Sequence, residues 1–365
     1  SPNGKWLAFT SKTYSPYTQL FLTHIDEEGR STPPVVLSHF TQSDRAANIP
    51  EFVNTTPTAI RKIHEQFVDD LSYVRAANEC LKAEDYEGVE KWCRKALAVN
   101  PKNPEAHHNI AVALASRDDF DEAVKHWLEA VEIKPDYVEA YYNLGLVMWR
   151  QNRADEAIGY WSKLLEIKPD HAKANGNLGA VLLSAGKTDE AVTRLSKAIE
   201  LDPNYAEAHY NLARAMFSTG KLNEALNHFA QVARLKPDDA DAYYNIGVIL
   251  AQAGKADEAV KYFSRAVQLN PNHAGAHYNL GVAFAGQGNL SQAMKHWLEA
   301  TRIEPNDIRT LLSLTAGYAK AGQFEQAIGT AQKALVLARR VGDEKLAKQL
   351  EQSIETYKQA GRRQL

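Results

Sequence analysis

Residues 138–171 read VEAYYNLGLVMWRQNRADEAIGYWSKLLEIKPDH, and this stretch returns with variations along most of the 365-residue chain. Its proline belongs to a series, Pro101, Pro135, Pro169, Pro203, Pro237, Pro271 and Pro305, in which the interval from Pro101 to Pro135 repeats without a slip. Seven of the 14 prolines lie on this lattice, so the spacing is structural rather than compositional. A fixed period of this size marks a stack of like units, which offers an extended surface for holding other molecules rather than one enclosed catalytic pocket.

Units cut in this register begin at Asp70, Pro104, Val138, Ala172, Ala206, Ala240, Ala274 and Ile308. In the quoted unit Tyr141, Leu144, Gly145 and Met148 cluster on one side of a first helix at about 100° per residue. Ala157, Trp161, Leu164 and Ile167 do the same on a second helix. Small residues at recurring positions, such as Gly179, Gly247 and Gly281 on first helices and Ala191, Ala225 and Ala259 on second helices, let the pair approach closely. The fifteenth position carries Gly186, Gly220, Gly254, Gly288 and Gly322, with Asp118 and Asn152 in the earlier units. These residue types tolerate the left-handed backbone that closes a helix. The proline then stops the second helix, because it lacks an N–H and disfavours helix in the residue before it.

On these residues the chain resembles the tetratricopeptide repeat proteins. Ala140–Gly145 (AYYNLG), Asp155–Ala157 (DEA), Trp161 and Pro169 match that family's pattern over residues 70–341. The resemblance implies a mainly α fold: a right-handed solenoid of eight helix pairs. The first unit departs most, with Val89 where alanine is usual, and the eighth has Arg339 in place of proline. Residues 342–365 read as a capping helix with Leu346, Leu350, Ile354 and Tyr357 on one side, followed by a tail. Residues 56–69 read as a connecting helix opened by Thr56 and Pro57.

Residues 1–55 follow another pattern, with three candidate strands at Lys5–Ser11, Gln19–Ile25 and Pro34–Leu37 separated by turn residues. The segment SPNGKWLAFTS resembles a blade motif of TolB-type β-propellers, with Asn3 where that motif commonly has Asp. A lone three-stranded sheet leaves an open edge, which further blades or a partner's strand would cover. The absence of an initial Met suggests a chain that starts inside a larger structure or after processing. The blade resemblance implies a bacterial cell envelope or periplasmic setting, with the cytoplasm as the alternative.

Composition excludes several functions. Forty-two Lys plus Arg against 45 Asp plus Glu leave no basic footprint for nucleic acid. No apolar run reaches the roughly 20 residues of a membrane span. No nucleophile elbow, phosphate-binding loop or HExxH spacing occurs, so the chain reads as non-enzymatic, without cofactor or metal. Cys80 and Cys93 lie on the apolar stripes of adjacent helices and read as buried thiols, with a disulfide as the alternative in an oxidising compartment.

The candidate binding residues are the asparagines that keep the period of the prolines at the sixth position: Asn109, Asn143, Asn177, Asn211, Asn245 and Asn279. Counted from the core stripe, they fall on the opposite side of the first helix and are expected to be exposed. An amide carries both donor and acceptor, the pair an extended backbone requires. With neighbouring first helices about 10 Å apart and an extended chain rising about 3.3 Å per residue, one amide would meet roughly every third ligand residue. This row resembles the asparagine ladder of the O-GlcNAc transferase superhelix, which holds extended peptides. Tyr142, Tyr210, Tyr244 and Tyr278 at the fifth position are candidate anchors beside it. Two plainer alternatives stand beside these expectations: the amides bond neighbouring helices, and the tyrosines pack against the next unit.

The functional expectation is a scaffold that binds an extended peptide or protein segment. One alternative is self-assembly into an oligomer or polymer through the open sheet edge and repeat ends. Another is a substrate-recruiting arm for a separate glycosyltransferase.

Overall fold

The computed structural model describes residues 6–11, 19–24, 35–36 and 70–364, with side chains placed from residue 70 to 362. β1 (Trp6–Ser11), β2 (Gln19–His24) and β3 (Val35–Val36) form an antiparallel sheet in the order β1-β2-β3, with Phe9 opposite Phe21 and Phe21 opposite Val36. The first half of the propeller-like motif, at residues 1–5, and the expected helix at 56–69 lie outside the described residues.

The other described residues are helical, and the chain divides into two compact bodies, Ser1–Val147 and Met148–Leu365. In the first body α1 (Asp70–Lys82) pairs with α2 (Tyr86–Val99), and α3 (Pro104–Ala115) pairs with α4 (Phe120–Ile133). The division falls within α5 (Val138–Arg150). The second body continues with α6 (Ala154–Ile167), α7 (Ala172–Ser184), α8 (Thr188–Leu201), α9 (Ala206–Ser218) and α10 (Leu222–Leu235). It is completed by α11 (Ala240–Gln252), α12 (Ala256–Leu269), α13 (Ala274–Gly286), α14 (Leu290–Ile303), α15 (Ile308–Lys320), α16 (Phe324–Arg340) and α17 (Glu344–Gln364). Each odd-numbered helix from α7 to α15 packs on the next to form a hairpin, and each hairpin packs on the one after it. First helices of neighbouring hairpins also touch directly, α7 on α9 and α11 on α13.

The stop signals act as their chemistry requires. Asp118 and Asn152 sit at φ 62° and 61°, and the glycines at the same position of later units lie at 73–80°. Before four of the lattice prolines the preceding residue is extended, for example Asp202 at φ −137° and ψ 94°, and before the others it leaves the helical region as well. Arg339 provides no such stop, so α16 runs on to Arg340 and ends at Gly342 with φ 78°. Glu84, the first unit's counterpart of these glycines, adopts φ 56°, which costs a side-chain-bearing residue about 1–2 kcal/mol. Glu84→Gly is therefore expected to stabilise the protein by about 1 kcal/mol, read from the denaturant midpoint, whereas no gain would show that this turn is unstrained.

Alanines and large residues share the core. Ala157, Trp161, Leu164, Leu144 and Met148 are fully buried, while Ile167 is only half-buried and Leu165 takes the buried place beside it. At the far end Leu350, Ile354 and Ala347 of α17 bury against Leu311, Ala331 and Ala334. Tyr357 stacks on Phe324 with centroids 6.3 Å apart. Cys93 is buried and Cys80 half-buried, both as free thiols, and burial pushes the Cys93 thiol up to about 12. Among the described residues no helix is long and apolar enough to cross a membrane. Among them too, no group of three or more metal-ligating side chains assembles.

Candidate functional site

Several first helices touch the first helix of the neighbouring hairpin, α1 on α3, α7 on α9 and α11 on α13, and the fifth and sixth positions of the units carry the candidates. The expectation of a row of exposed amides is corrected: Asn109 is buried, at 3% exposure, and Asn143, Asn177, Asn211, Asn245 and Asn279 are half-buried. The reason is packing between units. At Asn109 and Asn279 the first helix of the preceding hairpin covers one flank, reaching them through Asn78 and Tyr244.

In the first body the Asn109 amide donates to Asn78 at 2.7 Å, and the Asn78 amide donates to Glu105 at 2.8 Å. Asn109 is thus spent on an internal chain of hydrogen bonds, next to a unit that carries Val74 where others have tyrosine. In the second body Asn245 and Asn279 stand against the tyrosine of the preceding unit, whereas the unit before Asn211 has Gly176 in that place. Asn279 lies 3.4 Å from the Tyr244 hydroxyl, and Asn245 stands near enough to the Tyr210 hydroxyl to favour its ionised form. Asn211 and Asn245 also donate to backbone carbonyls one turn earlier, Glu207 at 3.0 Å and Asp241 at 2.8 Å.

Tyr210, Tyr244 and Tyr278 are half-buried, and the first two pack in part against the second helix of their own unit. The Tyr210 ring meets Phe229 edge-on with centroids 5.5 Å apart. The Tyr244 ring lies 4.5 Å from His273 and 5.9 Å from Phe263. A Cβ at Gly275 would stand 3.1 Å from the Tyr244 hydroxyl, so the small residue there makes room for the ring. Where the fifth position is Gly176, the Tyr205 ring fills the space instead, and a Cβ at that glycine would stand 2.5 Å from it. Tyr142 is half-buried as well. The alternative of packing against the next unit therefore describes Tyr244, which lies against the cap residue His273 and Gly275, whereas the Tyr210 ring packs on Phe229 of its own hairpin; each leaves part of its ring accessible.

Two of the candidates, Tyr210 and Asn211, converge on a cleft of about 290 Å³ that is also lined by Ala206, Glu207, Val232, Lys236, Asp239 and Asp241. Each lining group has a local origin. Asp239 is the residue before α11 and caps it, accepting from the Ala242 N–H at 3.0 Å. Lys236 ends the preceding helix and donates to Glu207 at 2.6 Å, which holds the Glu207 carboxyl below its ordinary range. Burial pushes the Tyr210 hydroxyl up, and the Asp241 carboxylate adds to the shift. With Lys236 matched to Glu207, Asp239 and Asp241 leave the cleft with an excess of negative charge. Asp239 and Lys236 escaped the reading of the sequence because they stand in the connection between units, outside both amphipathic helices. The signal that could have found Asp239 is the recurring cap position, which holds Asn103, His171, His273 and Asp307 elsewhere.

Two-helix hairpins repeated at the period of the lattice prolines, with small residues at their crossings, are those of tetratricopeptide repeat proteins, a class of protein-interaction modules. Residues 105–352 match the family of the cilia and flagella-associated protein 70 C-terminal domain, and the chain belongs to that family. No curated protein matches the chain. Among solved structures it is similar to YrrB, described as a tetratricopeptide repeat protein with an unusual peptide-binding site. That match has 29% identity and a TM-score of 0.47, and it covers 50% of this chain and 95% of that one. It is also similar to MamA, at 26% identity and a TM-score of 0.42, covering 44% of this chain and 95% of that one. PilF of Pseudomonas aeruginosa shares the fold at 19% identity and a TM-score of 0.51, covering 57% of this chain and 94% of that one.

Proposed function

We propose that the chain is a non-enzymatic scaffold that binds an extended protein segment along the first helices of the second body, with Tyr210, Asn211 and Asn245 at the centre of the contact. The observation that carries this reading is the cleft itself. An aromatic ring, an amide and carboxylates meet there on ordered helices, so little side-chain freedom remains to be lost on binding. The amide oxygen of Asn211 accepts no hydrogen bond from the described residues, and a ligand's main-chain N–H would complete it. The tyrosine–asparagine bonds give the asparagines a second task, which is to hold the rings in place.

A photo-crosslinking side chain at position 214, on the face that carries Tyr210, tests the reading in cells. The expected result is capture of a defined segment of a partner, identified by mass spectrometry. Asn211→Ala together with Asn245→Ala should lower the yield about tenfold, since two net hydrogen bonds of about 0.5–1.5 kcal/mol each are lost. Equal capture from a crosslinker on the second helices, at Lys197, or an undiminished yield from the double variant would overturn it.

A further inference from the structure

The repeat offers an internal comparison at the tyrosine seam. Tyr278 of the seventh unit is met by Arg309 at the start of the eighth, two positions after the cap Asp307. The Arg309 guanidinium lies over the Tyr278 ring, 5.4 Å from its centroid, and its Nε donates to Asp307 at 3.1 Å. Burial raises the Asp307 carboxyl, but the hydrogen bonds from Thr310 and Arg309 outweigh it and hold the group below its ordinary range. An aromatic face and a helix-capping carboxylate thus form a seat for a planar cation, and the chain fills that seat with its own side chain.

The same seat exists at Tyr210. Asp239 and Asp241 stand in the same register to Tyr210 as Asp307 and Arg309 stand to Tyr278. The cap carboxylate is therefore retained, while the position of the seated arginine carries a carboxylate instead. The space is the 290 Å³ cleft. Asp241 is two-thirds exposed, with one carboxylate oxygen 3.2 Å from His273 Nε2. Asp239 uses one oxygen to cap the Ala242 N–H. The nearest cation on the same helix, Arg214, does not line the cleft, and Lys236 is held by Glu207.

We propose that the Tyr210–Asp239–Asp241 cleft is a binding site for a guanidinium group, carried by an arginine of the bound segment. A guanidinium fits better than an ammonium because it is planar, is less strongly hydrated, stacks on an aromatic face and forks two carboxylate oxygens at once. The arginine as carrier rests on the scaffold reading above; the guanidinium chemistry does not, and it is measured separately.

N-acetyl-arginine amide is titrated into the full chain while chemical shifts are followed by NMR, with the neutral citrulline isostere and N-acetyl-lysine amide as controls. Saturable shifts centred on Tyr210, Val232 and Asp241 are expected in the millimolar range, with the citrulline compound at least about tenfold weaker. Asp239→Asn together with Asp241→Asn should weaken the arginine compound to a similar degree. Asparagine caps a helix as well as aspartate does, so the fold is kept. Asp241→Arg should seat its own guanidinium on Tyr210 and abolish the titration, while Arg309→Asp should open a second site at Tyr278. The inference is overturned if arginine and citrulline compounds shift the same residues equally, if the Asn variants bind unchanged, or if the shifts map elsewhere. Failure of the crosslinking experiment with a positive titration would instead remove the scaffold reading and leave the guanidinium site standing.

Discussion

Acidification from pH 7 to pH 4 is expected to lower the melting temperature of the chain steeply, with the loss concentrated between about pH 6.5 and pH 4. Three units carry a histidine at the fourth position of the first helix, hydrogen-bonded to a histidine on the second helix of the same unit. The Nδ1–Nδ1 distances are 3.0 Å for His107 and His126, 2.9 Å for His209 and His228, and 3.1 Å for His277 and His296. The first ring of each pair turns Nε2 toward the carbonyl of a lattice proline, Pro101, Pro203 or Pro271. A carbonyl only accepts, so Nε2 carries the proton and Nδ1 of that ring accepts from its partner. One proton therefore serves each Nδ1–Nδ1 contact, and full protonation of both rings places two donors face to face.

Burial is the leading cause that holds His126, His228 and His277 below their ordinary range, and it brings His296 and the separate His108 to about 4. The charged groups around them act in both directions. Glu122 and Glu129 oppose Arg94 near His126, Glu224 stands near His228, and Glu299 opposes Lys295 near His296. His273 and Arg302 lie near His277. A base whose folded value is depressed stabilises the fold fully above its unfolded value and loses that contribution as pH falls through the folded value. Each proton taken up only on unfolding adds a slope of about 1.4 kcal/mol per pH unit. Tyr243 and Tyr262 occupy the same two positions in another unit and stack with centroids 6.4 Å apart. His209→Tyr together with His228→Tyr should therefore flatten the pH dependence of the melt, and an unchanged slope would refute the role of the pairs.

Gly247→Val is expected to destabilise the second body by about 1–3 kcal/mol, the usual cost of overpacking. A Cβ at Gly247 would stand 2.7 Å from two carbons of the Phe263 ring, which is 1% exposed and has nowhere to retreat. Phe263→Ala at the same crossing should cost about 3–5 kcal/mol through the cavity it leaves. It also removes the ring against which Tyr244 leans. Because the two changes fill and empty the same space, the double variant should lose less than the sum of the singles. Full additivity in denaturant unfolding would show that the glycine is not there to admit the ring. Units of a repeat array contact mainly their neighbours, so a weak crossing in mid-array is also expected to split the unfolding into two transitions.

The helix pairs were legible in the sequence because their signals are local. Proline at position 169 and glycine at position 186 act on their own backbone, and Leu144 and Trp161 declare a buried face by spacing alone. The candidate site was legible only in part. Tyr210 and Asn211 stood out by recurrence, but their angle about one helix axis did not show that the adjacent hairpin would cover one flank. The same blindness made Asn109 look exposed. Its partner Asn78 belongs to the preceding unit, and no period within one helix reports on a contact between units.

By itself, then, the sequence determined where each helix starts and stops, which face of it is apolar, and that the unit recurs at a fixed period. All of these follow from backbone preferences and from periodicity within one helix. Tertiary structure alone decided which amides are spent on tyrosines, that Asp239 and Lys236 join Tyr210 around one cleft, and that Arg309 fills the seat which Asp241 leaves open. Those outcomes depend on contacts between successive units, where packing and charge, rather than local preference, set which side chains meet.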